Sequence, residues 1–275
     1  MTDLGSWIAS AGGFVSDALQ LEDVGAGGGR GLCVSRDVSA GEPLLGVPRR
    51  CTLHACAGEG LKAHEALMLR LLEEEACGSN SEFVGYLESL PECIPLLRDW
   101  PDAELRRRMP ARLVARVQAQ RDNVDTTIER VNEAGAARAA SSSSTRAPVD
   151  ASAGASSGAF ASSPSDVEGA AARLSRFSRE RCLWAESVVR SRSLAFTAAD
   201  DSPALALVPL FDMANHLRAE EEALLRAERG GASEYAARSA APSVLITDDG
   251  FTVLCARSDL RAGEQVLVVE IYLYL

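Results

Sequence analysis

The sequence predicts an α+β fold in which a β-rich body is interrupted by an α-helical insert. Three observations predict it. Short β-rich runs fall at about 14–56 and return over 204–275, and helical patterns fill about 60–190. A hairpin signal marks the last zone, at 243–257. Strands, then helices, then strands is not the alternating order of a doubly wound sheet. The first and third zones are therefore expected to meet in space. The expected organisation is 14–60 for the first part, 61–185 for the insert and 186–275 for the second part.

The elements follow in chain order. RGLCVS (30–35) alternates Leu32 and Val34 inward, and PLLGVP (43–48) follows a turn at Gly41-Glu42, both strand patterns. Leu61, Leu67, Leu71 and Leu72 then form a helical stripe, with Lys62, Glu65, Arg70, Glu73 and Glu74 expected on the outside. Phe83, Tyr86, Leu87 and Leu90 recur at helical spacing until Pro91 stops the run. Leu113, Val117, Val124, Ile128 and Val131 define a long helix after Pro110, and Phe177, Trp184 and Val188 define another. Between these two helices, about 136–166, lies an Ala/Ser/Gly-rich stretch without periodic apolar residues. Such a stretch cannot bury enough surface to offset its ordering entropy, so a disordered loop is expected there. Leu207, Val208, Pro209 and Leu210 read as a buried strand closed by its proline. SVLITDDGFTVLCAR (243–257) places two β-rich runs around Asp248-Asp249-Gly250, a turn that supplies positive φ. Asp37–Glu42 and Asp259–Glu264 echo one another, and each precedes a strand; a recurrent glycine turn explains this better than duplication.

Composition narrows the function. The chain has 275 residues, 47% of them hydrophobic, enough for one large or two smaller cores. No apolar run approaches the roughly 18–20 residues that span a bilayer, so no membrane association is expected. Its net charge of −11 repels phosphate backbones and argues against nucleic acid as a partner. Seven scattered cysteines without a CxxC pair indicate neither a disulfide framework nor a zinc site. Buried reduced thiols suit the cytoplasm or nucleus. The start lacks a secretory n-region and is not Arg-rich; a plastid location would need a longer N-terminus.

Several motifs fail their own context. VGAGGGRGL (24–32) does not complete a dinucleotide fingerprint and has no GK[ST], leaving a flexible turn or a close backbone approach to a ligand. Gly154–Gly158 matches GxSxG around Ser156, yet the elbow needs a strand before it and a helix after it. It sits in low-complexity sequence, so no serine hydrolase is expected. His54 and His64 lack spaced ligand partners and are expected at the surface or as caps, so no metal is expected. Glu220–Glu222 and Arg106–Arg108 read as solvated helix faces. RSRSLAF (190–196) reads as a helix C-terminus, and Asp212, Asn215 and His216 as a tight turn whose side chains cap backbone.

Taken together, Gly29-Arg30-Gly31-Leu32, RDVSAGEPLLGVP (36–48), VVRSRSLAF (188–196), LVPLFDMANH (207–216) and AGEQV (262–266) resemble, in order, the motifs of SET-domain methyltransferases. The nearest branch is the one with the Rubisco large-subunit lysine methyltransferase and the actin histidine methyltransferase, whose SET domain is split by a helical insert. GSNSEFVGYLESLPECIPLLRDW (78–100) is similar to a piece of that insert. The resemblance covers about 14–267.

It implies an S-adenosyl-L-methionine-dependent protein methyltransferase, acting on a lysine or histidine side chain, with no metal and as a monomer. It also implies that Asn215 and His216 bind the cofactor by main-chain and amide hydrogen bonds. Arg192 matches an arginine at that site, Asp212 orients the loop, and Gly29, Gly31 and Leu32 give backbone contacts to the methionine moiety. One departure stands out. Where the family places a tyrosine that positions the amine and methyl, this chain has Glu270; Tyr272, two residues on, is a weak substitute. The chain also stops before the family's C-terminal substrate-binding domain. A truncated gene model and a naturally impaired pseudoenzyme acting as an interaction module both account for these departures, and both predict weak or absent catalysis.

Overall fold

The computed structural model describes residues 2–24, 29–144, 177–197, 203–217, 244–246 and 251–269. The chain divides into two compact units. One comprises Met1–His54, Arg192–Thr197 and Leu205–Leu275; the other comprises Ala55–Ser191 and Ala198–Ala204.

The first unit opens with a helix, α1 (Thr2–Ser10), which the sequence reading missed. Leu4 and Ile8, one turn apart, are its buried residues. Strands β1 (Phe14–Val15), β2 (Leu19–Asp23), β3 (Arg30–Val34), β4 (Pro43–Pro48) and β5 (Leu53–Cys56) follow. After the insert come β6 (Ser193–Thr197), β7 (Pro203–Leu207), β8 (Asn215–Leu217), β9 (Val244–Ile246), β10 (Phe251–Cys255) and β11 (Leu267–Val269). The expected meeting of early and late zones occurs in an antiparallel sheet ordered β1-β4-β10-β9. The expected hairpin is the β9–β10 pair, with Val253 opposite Leu245; its turn lies outside the described residues. β2 pairs with β3, β8 with β11, and β7 lies between β5 and β6.

Two expectations for these strands need correction. β3 is buried from Gly31 through Val34, not on alternate residues. The cause is cover on a second edge: Val266 N–H donates to the Leu32 carbonyl (2.8 Å) and Val34 N–H to that of Glu264 (3.0 Å). The buried run at 207–210 is not a strand either. β7 ends at Leu207, and Val208, Pro209 and Leu210 turn, still buried, into a short 3₁₀ segment at Phe211–Met213.

The echo between 37–42 and 259–264 proves to be a reciprocal pair of turns. Val38 and Leu260 exchange backbone hydrogen bonds of 2.8 and 2.9 Å. The Asp259 carboxylate accepts from Ala40 N–H (2.9 Å), and that of Asp37 from Ala262 N–H (3.0 Å). Gly41 and Gly263 take φ of +82° and +86°, which L side chains resist. Each turn therefore caps the other. Asp37→Ala is expected to lower unfolding free energy by about 1 kcal/mol, as for a lost side-chain cap. A urea titration of this variant beside Asp17→Ala, an exposed control, checks it.

The second unit is helical. It contains α2 (Ala63–Cys77), α3 (Val84–Ser89), α4 (Asp102–Arg108), α5 (Ala111–Ser144) and α6 (Arg179–Arg192, its last residue falling in the first unit). The predicted stripes are its core: Leu67, Leu71, Leu72, Tyr86, Val131 and Val188 are fully buried. Glu65, expected outside, is instead fully buried, where Arg130 and the Lys62 N–H partner its carboxylate. Arg106–Arg108 do lie on a helix surface, with Arg107 and Arg108 paired to Glu104. The expected loop from about 136 is corrected over its first part, because α5 runs on to Ser144. Alanine has the highest helix propensity, so AARAA propagates a helix already anchored by its apolar stripe. The rest of that stretch, with Ser156, lies outside the described residues, as do Glu220–Glu222.

All seven cysteines are free. Four are buried as expected, whereas Cys56, Cys77 and Cys93 are exposed. His64 is also not at the surface: its side chain is only 14% exposed. Among the described residues no helix is long and apolar enough to cross a membrane.

Candidate functional site

The site candidates named by the sequence gather in the first unit around one strand junction. β11 runs parallel to β8, with Leu267 opposite Asn215 and Val268 opposite His216. Just before β11, Gln265 bridges Cys33 of β3. Residues 263–269 thus join β3 on one side and β8 on the other, which carries the Gly-Arg-Gly-Leu segment to the Asn-His segment.

The side chains meet there. The Asn215 amide donates to the Gln265 Oε1 (3.2 Å). A Cβ on Gly31 would lie 2.7 Å from Asn215 Nδ2, 3.1 Å from Val24 Cγ1 and 3.4 Å from Gln265 Oε1. Only a residue without a side chain leaves room for the amide at that point. Gly29 differs: its φ is +61°, and space beside its Cα is open. Val24 N–H donates to its carbonyl (2.9 Å), closing the mouth of the β2–β3 loop. Leu32 is fully buried.

Arg192 and Asp212 form the second part. The guanidinium donates to the Asp212 carboxylate (3.1 Å) and to the Asp212 carbonyl (3.2 Å). The Asp212 side chain is fully buried and that of Arg192 is 18% exposed. A buried carboxylate needs such a partner. The backbone that presents Asp212 is strained: Leu210 has φ +65°, a conformation costing a Cβ-bearing residue about 1–2 kcal/mol. Its complete burial offsets that cost. Asp212, Met213 and Ala214 each donate backbone N–H back into the turn, and the turn packs against β3.

No family model and no curated relative matches the chain. Solved structures do. The chain is similar to the SET domain of LSMT bound to lysine and AdoHcy, at 17% identity and a TM-score of 0.64, over 98% of this chain and 52% of that one. It is similar also to Rubisco LSMT bound to AdoMet, at 16% identity and a TM-score of 0.61, with the same coverage. The chain has the fold of a SET domain. It spans about half the length of these structures.

Within this SET fold, Gly31, Leu32, Arg192, Asp212 and Asn215 lie on β3, the end of α6, the 3₁₀ turn and β8, elements that interlock. His216 is placed through its backbone register with Val268. Glu270 and Tyr272 lie outside the described residues. Gln265 was not singled out from the sequence, although AGEQV was. The signal available was a polar residue opening an otherwise apolar run, Val266–Val269. Its partner is 50 positions away, beyond the reach of local patterning.

Proposed function

We propose that the chain is an S-adenosyl-L-methionine-dependent protein methyltransferase acting on a lysine side chain. The observation that carries this reading is the convergence of Gly31, Asn215 and Gln265, three motifs far apart in sequence, on one recess beside open backbone at Gly29. The donor set fits the cofactor. An amino-acid moiety calls for main-chain donors and acceptors without obstructing side chains, and Gly29–Leu32 offers them. The Asn215 amide and the His216 main chain supply further hydrogen bonds. Arg192, paired with the buried Asp212, holds the neighbouring turn in place.

When bound, S-adenosylmethionine supplies an electrophilic methyl group on a positively charged sulfur. The chain's own part is alignment and exclusion of water. Buried Phe211, Val266 and Val268 form the apolar surroundings. A substrate lysine, with an ordinary pKa of about 10.4, must arrive neutral, and desolvation favours its neutral form.

Calorimetric titration with S-adenosylhomocysteine tests the cofactor part. Micromolar binding is expected for the chain, weakened about tenfold in Asn215→Ala, the value of one good hydrogen bond. A well-folded chain that does not bind would overturn the reading.

A second reading is favoured by Glu270, which stands where the family has its tyrosine. On that reading the chain is an impaired pseudoenzyme serving as an interaction module. Its prediction is cofactor binding with weak or absent methyl transfer to protein. Robust turnover in a tritiated-methyl assay would eliminate it.

A further inference from the structure

The helical unit holds a second feature that the methyltransferase reading does not use. A cleft of about 740 Å³ opens along α5, lined by four cations, Lys62, Arg116, Arg130 and Arg190. Glu186 is the carboxylate among the lining residues. In a chain of net charge −11 such a surplus runs against the average surface. Arg130 and Arg190 are held in place by ion pairs with the buried Glu65 and Glu186. Lys62 and Arg116 have no ion-pair partner among the described residues. The same cleft carries an apolar lining of Leu96, Leu97, Leu113 and Val117.

Two buried nitrogens add to this. The Arg130 Nε and His64 Nδ1 are shut off from solvent and have no hydrogen-bond partner among the described residues. Both side chains line the cleft. Buried polar groups are ordinarily paired, so the Arg130 Nε donor and the His64 ring nitrogen left without partners mark this recess as incompletely satisfied. The surrounding field is independently visible in His64. Burial pushes its pKa down, and Arg190, Lys62 and Arg130 push it further the same way, against the opposing pull of Glu65.

We infer that this cleft binds a small organic oxyanion, a phosphate or carboxylate group carried on an apolar body. The volume suits a small molecule, since ligand pockets run about 300–1,000 Å³. Arginines suit the oxyanion, which they grip by parallel N–H donors. The Leu/Val lining suits the remainder. Binding would raise the titration midpoint of His64, because a nearby negative charge favours its protonated form.

The test uses the whole chain with phenyl phosphate, inorganic phosphate and phenol as probes, by calorimetry at low salt. Phenyl phosphate is expected to saturate and to bind about tenfold tighter than either fragment. Arg116→Gln should weaken it at least about fivefold, as should raised salt. Arg116 is exposed and makes no ion pair among the described residues, so this variant should keep its melting temperature. Arg112→Gln, exposed on the same helix, should bind as wild type. In proton NMR, phenyl phosphate should move the His64 titration to higher pH, the resonance being identified by its loss in His64→Gln. No saturable binding, equal affinity for all three probes, or indifference to Arg116→Gln would overturn the inference. S-adenosylhomocysteine binding should be unchanged in Arg116→Gln, so failure here and failure of the cofactor reading are separately visible.

Discussion

Gly31→Ala is expected to abolish cofactor binding, weakening S-adenosylhomocysteine by about a hundredfold or more, while the chain still folds. The added methyl would sit 2.7 Å from Asn215 Nδ2, closer than real Cβ atoms approach their neighbours, and a tight 3.1 Å from Val24 Cγ1. Something must move. Asn215 cannot move freely, because β8 is fixed to β11 at Leu267 and its amide is bonded to Gln265. β3 cannot retreat either, with β2 on one edge and 264–266 on the other. The strain is shared, at about 1–3 kcal/mol of lost stability as for other overpacked sites. The geometry proposed to hold the cofactor is displaced with it. The effect is steric and not conformational, since Gly31, unlike Gly29, does not take a positive φ. Gly29→Ala should therefore lose about 1–2 kcal/mol through its left-handed backbone without meeting any side chain. Melting curves and calorimetry on both variants separate the two causes. Wild-type affinity in Gly31→Ala would move the cofactor away from this recess.

How much of this could be read in advance depends on the distance over which each signal acts. The stripes of α2, α3 and α5 were legible because a helix repeats its buried face every three or four residues, and Leu71, Tyr86 and Val131 obey that spacing. The β9–β10 pair was legible because its turn chemistry is local. The five ordered motifs named the residues of the recess. Local rules failed where tertiary contacts decide. Val208 and Pro209 look like strand because they are apolar, but burial in a turn has the same composition. The Ala/Ser run to Ser144 lacks apolar periodicity, yet a helix already nucleated extends through it at little cost. The role of Gln265 needs Asn215, and the reciprocal caps need turns more than 200 residues apart. The echo of Asp37 and Asp259 was visible in sequence; that each turn caps the other was not.

In the helical unit Glu186→Ala is expected to lower unfolding free energy by about 3–5 kcal/mol. Glu186 and Arg98 are each only 4% exposed and form an ion pair. The other Glu186 oxygen accepts from Arg190 Nε (2.7 Å). Arg98 also donates to Ser187 Oγ (2.7 Å) and to the Leu183 carbonyl (2.9 Å), binding the 97–99 turn to α6. Burial pushes both guanidinium pKa values down; Asp99 opposes this at Arg98, and Arg190 adds to it. These are charges held in an environment that disfavours them; Glu186 is the buried carboxylate that serves both, and the half-exposed Asp99 lies 3.6 Å from Arg98 Nε. Removing Glu186 leaves the buried Arg98 beside the half-exposed Asp99 and facing Arg190, and the expected loss is a large fraction of a total stability of about 5–15 kcal/mol. The pair itself need not be strongly stabilising, because desolvation cancels much of its attraction. An Arg98→Met/Glu186→Leu double variant should therefore recover the part of the loss that comes from Arg98, while Arg190 remains without its carboxylate. Urea unfolding of the two single variants and the double variant gives the coupling directly. A loss below about 1 kcal/mol for Glu186→Ala would mean that water reaches the site and solvates the arginines.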